Sequence, residues 1–233
     1  MSKGRFFGVG VGPGDPELIT VKALRILQDC SVVAAPRTRS GEMLALDIAR
    51  RALDLTGKEI LPIEFTMERD ATKRAQSYRL AADAIAQQLD AGRDVAMVNL
   101  GDVSIFATVC YLIAELEERG YACEMIPGVT SFSAIGSRLG ISLTEMNEPL
   151  HIIPASAKGL DDALDFPGSL VLMKSASQLD EVISALDSRG MLHRAKLVSN
   201  CGLPDELVIE DLSEGAGLAK SAGYFTTIVI TGE

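Results

Sequence analysis

The sequence contains no tryptophan, and phenylalanine and tyrosine together supply only 5% of its 233 residues. Proteins that bind single-stranded nucleic acids stack bases on aromatic rings, and this chain is poorly supplied with them. The formal net charge is −10, and no cluster of lysine and arginine occurs. Because nucleic-acid binding needs a basic face, we expect no nucleic-acid partner.

Long apolar runs are also missing. Those present, such as residues 95–100, are far shorter than the ~20 residues that a membrane-spanning helix needs. The N-terminal segment lacks an apolar signal core with a small-residue cleavage site. We therefore expect a cytoplasmic protein that does not associate with membranes. The length, with 47% hydrophobic residues, suffices for one large domain or two smaller ones.

Cysteine and histidine are scarce. The four cysteines are Cys30, Cys110, Cys123 and Cys201. None forms a CxxC pair, and neither His151 nor His193 lies at a zinc-ligand spacing from a cysteine. We expect no protein-bound metal, and we interpret the cysteines as reduced core residues.

Apolar runs alternate with amphipathic segments in the first half of the chain. Strands are predicted at 6–11, 32–35, 60–63, 95–100 and 121–126. Helices are predicted at 16–28, 42–53, 71–89, 105–118 and 131–139. Four of these strands are almost continuously apolar, which is typical of parallel strands buried on both faces. The alternation predicts an α/β domain.

The pattern changes after the polar segment 143–149. Strands are predicted at 151–154, 169–173, 195–199, 206–209 and 225–231, and helices at 178–188 and 213–222. The short connection among the last three strands indicates some antiparallel pairing. We therefore predict two α/β domains with a cofactor cleft between them. Residues 1–146 would form an N-terminal domain with a mostly parallel sheet, and residues 147–233 a C-terminal domain with a mixed sheet.

The glycine-rich stretch GVGVGPGDP, residues 8–16, resembles a dinucleotide-binding fingerprint but fails its spacing. The sixth position of G-x-G-x-x-G is Pro13 when counted from Gly8, and Asp15 when counted from Gly10. The second strand does not end in an acidic residue, and no Gly-Lys-Ser/Thr follows. NAD binding and NTP hydrolysis are therefore disfavoured. Alone, the stretch predicts a strand-to-helix turn, capped by Asp15 and followed by Pro16.

Two further glycine loops follow apolar strands, at residues 100–102 and 126–131. The carboxyl ends of parallel strands meet at one edge of a sheet, where ligands bind in α/β proteins. The three loops are therefore predicted to face one ligand site.

Seven motifs occur in a fixed order over nearly the whole chain. They are GxGPGDPELIT, VxAxPR, LGD, IPGVTSFSA, a strand with Met-Lys, NCGLPDE and YFTTIVI. This combination resembles the tetrapyrrole (precorrin) methyltransferases, which use S-adenosylmethionine. Within that family it is most similar to the C(20)-methyltransferases of precorrin-2 or cobalt-factor II. Pro36-Arg37, the stretch IEFTMERD at 63–70 and the segment after PGVTSFSA carry this closer likeness. One departure is Val103, where the family usually has proline after Gly-Asp.

The resemblance implies where the cofactor binds. Carried over by motif position, its contacts are Pro13, Leu100, Gly101, Asp102, Ile105, Thr130, Ser131, Ala155, Met173 and Gly202. The apolar side chains and glycine loops suit an adenosine group, and the carboxylate of Asp102 suits a positive sulfonium. Asp102 is equally interpretable as a helix N-cap, and both roles can coexist.

The implied reaction is direct methyl transfer to the C(20) meso carbon of the macrocycle, a step of cobalamin biosynthesis. It needs no protein nucleophile, which agrees with the absence of a nucleophile–base constellation. Alignment and exclusion of water would supply the catalysis. Tyr78, Asp70 and His151 are chemically able to accept a proton, although surface or packing roles are favoured for each. The catalytic residue stays unassigned.

The acetate and propionate groups of a tetrapyrrole need cationic partners. Arg37 and Arg39 follow a strand end and are the predicted substrate contacts. Lys22 and Arg25 are interpreted as helix-surface charges, and Lys174 could reach either ligand. A homodimer is implied by the resemblance. The alternatives are a methyltransferase acting at another corrin position and a non-enzymatic small-molecule-binding module.

Overall fold

The computed structural model describes residues 2–66, 70–156 and 159–232. The chain forms two compact units, Met1–Thr130 and Ser131–Glu233. This division assigns the helix at Ser131–Leu139 to the second unit. The domain boundary after residue 146 stays a prediction. No helix in the described part of the chain combines the length and apolarity of a membrane span.

The first unit contains a five-stranded sheet in the order β3-β2-β4-β1-β5. Its strands are β1 (Phe6–Gly10), β2 (Val32–Arg37), β3 (Glu59–Glu64), β4 (Val95–Asn99) and β5 (Cys123–Ile126). All neighbouring strands pair in parallel, as the continuous apolar runs predict. All five residues of β1 are buried, and β1 lies between β4 and β5. The loops after these three strands therefore start next to one another.

Helices connect the strands of the first unit. They are α1 (Val21–Asp29), α2 (Leu44–Ala52), α3 (Ala71–Asp90) and α4 (Val109–Glu118). The core joins β1, β2 and β4 to α3 and α4 through fully buried side chains such as Phe6, Ile85 and Leu112. Each such burial contributes about 1.5–3 kcal/mol relative to exposure, so the sheet edge is anchored by a packed core.

The second unit contains a mixed sheet in the order β6-β7-β10-β8-β9. Its strands are β6 (Leu150–Pro154), β7 (Ser169–Met173), β8 (Ala195–Ser199), β9 (Leu207–Ile209) and β10 (Thr226–Ile230). Its helices are α5 (Ser131–Leu139), α6 (Leu160–Ala163), α7 (Leu179–Ser188) and α8 (Leu212–Gly215). β6 and β7 are parallel, whereas the other neighbours pair antiparallel. The predicted fold class is confirmed.

Three helix predictions were wrong in extent. The helix predicted at 16–28 is a 3₁₀ turn, Pro16–Leu18, followed by α1, because Ile19 is extended and Thr20 caps α1 by accepting from Ala23 N. The helix predicted from residue 105 begins at Val109, after Phe106 with its φ of +49°.

The helix predicted at 213–222 is also not continuous. It divides into α8 and a 3₁₀ turn at Leu218–Ser221. The short α6 was not predicted from the sequence.

Candidate functional site

The loops after β1 and β4 are joined directly. Gly101 N donates to Gly12 O at 2.8 Å, and Gly12 N donates to Gly101 O at 3.3 Å. Both glycines have positive φ, 77° for Gly12 and 71° for Gly101, where a side chain would be strained. This bridge confirms that the first two glycine loops meet at one edge of the first sheet.

The loop after β5 packs against the first two loops. The contacts are made by glycines, at positions where a side chain would not fit. A Cβ atom on Gly10 would lie 2.6 Å from Gly128 N and 2.7 Å from Gly101 O. A Cβ atom on Gly128 would lie 2.8 Å from the carbonyl carbon of Gly10. At these two positions glycine is needed for the contact of backbone with backbone. Gly10, one of the alternating glycines, thus serves loop packing, whereas the glycines of a dinucleotide fingerprint let the backbone approach a ligand.

The carboxylate of Asp102 joins the second loop to the third. One oxygen, Oδ1, accepts from Ser104 N at 2.8 Å and from Ser104 Oγ at 2.5 Å, and Oδ2 accepts from Gly128 N at 2.9 Å. Asp102 is only 9% exposed. The helix-cap interpretation was wrong, because α4 begins at Val109 and Asp102 instead closes a turn on Ser104.

The ionisation of Asp102 follows from these contacts. Burial is the largest single influence and raises the pKa, but the hydrogen bonds from Ser104, Gly128 and Val103 together outweigh it, so the pKa lies below its ordinary value. The side chain is therefore a buried anion at neutral pH. Its two oxygens together accept three hydrogen bonds, which hold the carboxylate in place where the second and third loops meet.

The residues on both sides of Asp102 complete the second loop. Leu100 and Ile105 are half-buried, and Val103 is buried in the core. The Val103 carbonyl accepts from Cys110 Sγ at 2.9 Å. Phe106, 43% exposed, has a left-handed backbone that is rare for a bulky residue. Core packing therefore holds Val103, which stands where the family usually has proline.

The first and third loops are tied by a threonine. Thr20 Oγ1 donates to Pro127 O at 3.3 Å while it also caps α1. Pro13 is buried in the first loop. Thr130 and Ser131 are half-buried, and Ser131 is the first residue of α5.

Three predicted residues of the second unit gather at one edge of its own sheet. Ala155 N donates to Met173 O at 2.8 Å. Met173 pairs with Thr227 of β10, and Thr226 pairs with Ser199 at the end of β8. Gly202 lies in the turn after β8 and is exposed. Ala155 is buried and Met173 half-buried. The strand pairing therefore brings residues that are far apart in the sequence to one edge of this sheet.

The predicted substrate arginines lie at and after the end of β2. Arg37 donates to Glu64 Oε1 from Nε at 3.1 Å and also from Nη2, across the β2–β3 pair. Both side chains are exposed, and such pairs contribute at most about 1 kcal/mol. Arg39 is exposed in the loop that follows.

Lys22 and Arg25 both have exposed side chains on α1. Lys22 pairs with Glu124 at 2.7 Å, which agrees with a surface role. Lys174 has a left-handed backbone with φ of 58° directly after β7. Desolvation by surrounding atoms lowers the pKa of its ammonium group although its side chain is exposed.

The three proton-acceptor candidates are engaged in other contacts. Asp70 caps α3 by accepting from Thr72 N and Lys73 N. Desolvation, followed by the neighbouring Tyr111, raises the pKa of Tyr78, and the two rings stack at 5.2 Å. The ring nitrogen Nε2 of His151 lies 3.1 Å from Pro167 O. These contacts favour structural roles. The Met-Glu-Arg part of the IEFTMERD stretch, residues 67–69, lies outside the described residues.

Within residues 2–66, 70–156 and 159–232, no set of three or more His, Cys, Asp or Glu side chains is arranged to hold a metal ion.

The sequence did not predict the hydrogen bonds within the turn after β8, which lies at the same edge of the second sheet as Ala155 and Met173. Gly202 N donates to Glu206 Oε2 at 2.9 Å, and Asn200 Nδ2 donates to Asp205 Oδ2 at 2.6 Å. All four residues belong to NCGLPDE. The signal in the sequence was the pair of acidic residues, Asp205 and Glu206, that shortly follows Asn200-Cys201-Gly202.

Glycine loops joined at the carboxyl ends of parallel strands, in an α/β chain with one parallel and one mixed sheet, define the class of α/β proteins that bind small molecules at such an edge. The family model for tetrapyrrole (corrin/porphyrin) methylases matches residues 5–216. The chain belongs to this family.

Relatives of named function cover nearly the whole chain. It is 32% identical to the cobalt-precorrin-2 C(20)-methyltransferase of Salmonella typhimurium, over 97% of this chain and 96% of the relative. It is 32% identical to the precorrin-2 C(20)-methyltransferase of a Sinorhizobium species, over 98% and 96%. A solved structure of similar fold is uroporphyrin-III C-methyltransferase from Thermus thermophilus complexed with S-adenyl homocysteine. Its TM-score is 0.71 at 24% identity, and the likeness covers 98% of this chain and 92% of that one.

Proposed function

We propose that this protein is an S-adenosylmethionine-dependent methyltransferase that methylates C(20) of precorrin-2, or of its cobalt-containing counterpart, in cobalamin biosynthesis. Membership of the methylase family supports the reaction class. The near-full-length similarity to two C(20)-methyltransferases supports the position of transfer. The observation that carries the proposal is the junction of three glycine loops through Gly12, Gly101, Gly128 and Asp102, because it occurs where the family's cofactor motifs fall.

The chemistry of the residues at the two sheet edges suits the proposed cofactor. Adenosine binds through apolar surface and main-chain groups, and Leu100, Ile105 and Met173 offer half-buried apolar side chains. Because glycine has no side chain, the three glycine loops offer main-chain atoms that are not covered. The buried anion Asp102 gives the edge a negative charge, which suits a cation. The proposed contacts are Pro13, Leu100, Gly101, Asp102, Ile105, Thr130, Ser131, Ala155, Met173 and Gly202.

When bound, S-adenosylmethionine supplies an electrophilic methyl group on a sulfonium that departs as a neutral thioether. The residues of this chain then act by holding and orienting. Asp102 links the loop after β4 to the loop after β5, and the glycines at Gly10 and Gly128 let these backbones pack closely. Leu100 and Ile105 offer half-buried apolar side chains beside this junction. Such preorganisation is the main means of catalysis when no covalent intermediate on the protein is needed.

Arg37 and Arg39 are the proposed partners of substrate carboxylates. The Arg37–Glu64 pair is exposed and weak, so a carboxylate on the substrate can compete for the guanidinium. A planar guanidinium binds a carboxylate with two parallel hydrogen bonds. We assign no general base, because Asp70, Tyr78 and His151 are already engaged.

The decisive experiment is incubation with methyl-labelled S-adenosylmethionine and precorrin-2, with and without cobalt. Mass spectrometry would show one added methyl group, and NMR would locate it at C(20). A methyl group elsewhere would favour the alternative of a different corrin position. Retention of unmethylated substrate together with tight binding would favour a binding module, which membership of the methylase family does not support.

A homodimer and a cytoplasmic location are further parts of the proposal. The homodimer rests on the family resemblance, and the location rests on the expectation from the sequence. Light scattering coupled to size exclusion would give a mass twice that of the 24.8 kDa chain, and a mass of one chain would contradict the dimer. Fractionation of expressing cells would test the location.

A further inference from the structure

The turn at residues 200–206, directly after β8, holds Gly202 in a defined orientation. Leu203 N donates to Asn200 O at 2.9 Å, and Glu206 N donates to Leu203 O at 3.1 Å, which makes two successive tight turns. Asn200 and Gly202 are left-handed, with φ of 53° and 77°. Asparagine and glycine adopt this conformation most easily, but glycine also adopts many others, so its orientation needs external support.

That support comes from Glu206. Its Oε2 accepts from Gly202 N at 2.9 Å, and its Oε1 accepts from Arg138 Nε of α5 at 2.6 Å. The Glu206 side chain is only 16% exposed, whereas Arg138 is 53% exposed. Glu206 is thus held at both oxygens beneath the turn, while Gly202 itself is exposed.

We propose that Glu206 is a positioning residue for the cofactor, acting through the Gly202 peptide, with Arg138 orienting its carboxylate. This inference rests on the proposed function, in which Gly202 contacts the adenosine group. Because the Gly202 N–H is bonded to Glu206, Gly202 meets the ligand with its Cα and carbonyl oxygen. Fixing this peptide before binding lowers the entropy lost on association and so strengthens binding.

The test measures binding of S-adenosylhomocysteine by isothermal titration calorimetry, without turnover. Glu206→Ala removes a hydrogen bond to a charged group, and we expect about tenfold weaker binding. Glu206→Gln keeps an oxygen that can accept from Gly202 N but turns an amide donor toward Arg138, so we expect a smaller loss of affinity, about threefold. Glu210→Ala is the matched control, because Glu210 lies a few residues further along with an exposed side chain; it should bind like the wild type.

Kinetics provide a second measurement. The Michaelis constant for S-adenosylmethionine should rise in Glu206→Ala while kcat stays unchanged, since uniform binding is lost. A purely structural role would lower thermal stability without this split. If Glu206→Ala does not fold, Glu206→Asp replaces it, because the shorter carboxylate cannot reach both partners and should also bind more weakly.

The outcomes separate this inference from the proposed function. Wild-type protein that fails to bind S-adenosylhomocysteine contradicts the proposed function itself. Wild-type protein that binds, together with a folded Ala or Asp variant of equal affinity, overturns only the role of Glu206. A Gln variant as weak as the Ala variant overturns it too, because the oxygen acceptor would then not matter.

Discussion

The Oδ2 atom of Asp102 accepts a hydrogen bond from Gly128 N at 2.9 Å and so joins the ends of two strands that are not neighbours in the first sheet. β1 lies between them, and its last residue, Gly10, packs against Gly128 without room for a side chain. One carboxylate therefore joins two of the three loops, and the backbone bridge between Gly12 and Gly101 adds the third.

Replacing Asp102 with asparagine should destabilise the protein by about 1–3 kcal/mol, because an amide cannot accept from Ser104 and Gly128 at both of its ends. Urea unfolding at pH 7 would measure the loss. Asp54→Asn is the matched control: Asp54 closes an exposed turn by accepting from Thr56 N at 2.8 Å, and its replacement should leave the unfolding free energy nearly unchanged. Equal losses in both variants would contradict a special role for Asp102.

The stabilisation by Asp102 should disappear in acid. Its pKa in the folded protein lies below the ordinary value of 3.8, so the ionised form favours the folded state. The contribution is complete above the unfolded pKa and is lost as the pH falls through the lower, folded pKa. The difference in unfolding free energy between wild type and Asp102→Asn should therefore shrink below about pH 4. A difference that grows on acidification would show that the sign is wrong.

Gly10→Ala should cost about 3 kcal/mol or more, because the new methyl group meets main-chain atoms of Gly101 and Gly128 that cannot rotate away. Thermal unfolding would measure it, and binding of S-adenosylhomocysteine should weaken as well. Gly217→Ala is the control. Gly217 has φ of −65°, and a Cβ atom added there would have no neighbouring atom within 4 Å, so this change should be neutral or stabilise by about 0.4–1 kcal/mol.

Arg37→Ala should raise the Michaelis constant for the tetrapyrrole about tenfold, since a charged hydrogen bond is lost. Binding of S-adenosylmethionine should be unchanged. Glu64→Gln releases Arg37 from its partner and should leave that constant equal or lower, with little change in stability. Equal weakening of both ligands by Arg37→Ala would indicate that Arg37 is structural.

The thiols of Cys30 and Cys123 should resist alkylation in the folded protein. Burial, the main cause, raises the pKa of Cys30 to about 12 and that of Cys123 to about 11. Because the thiolate is the reactive form, labelling by iodoacetamide at pH 8 should be slow for both and become fast in urea. Fast labelling of Cys30 in the native protein would contradict its burial.

Much of the fold was predictable from local pattern. The continuous apolar runs identified β1, β2 and β4 as buried parallel strands, and helix α5 at Ser131–Leu139 matches its predicted range. Each of these segments carries one strong local signal, either a continuous apolar run or a helical periodicity. The start of α4 was missed because Phe106, held left-handed by its surroundings, interrupts a sequence that is otherwise apolar and compatible with a helix.

By itself, the sequence determined the class of protein: its motifs and alternating pattern led to the α/β fold and to the methylase family. Only the tertiary structure decided what individual residues do. Gly10 proved to be a packing contact, Asp102 a link between loops and Glu206 a support for Gly202. The reason is physical. Periodicity records which face of an element is buried, whereas hydrogen bonds between loops depend on which strand ends the sheet order brings together.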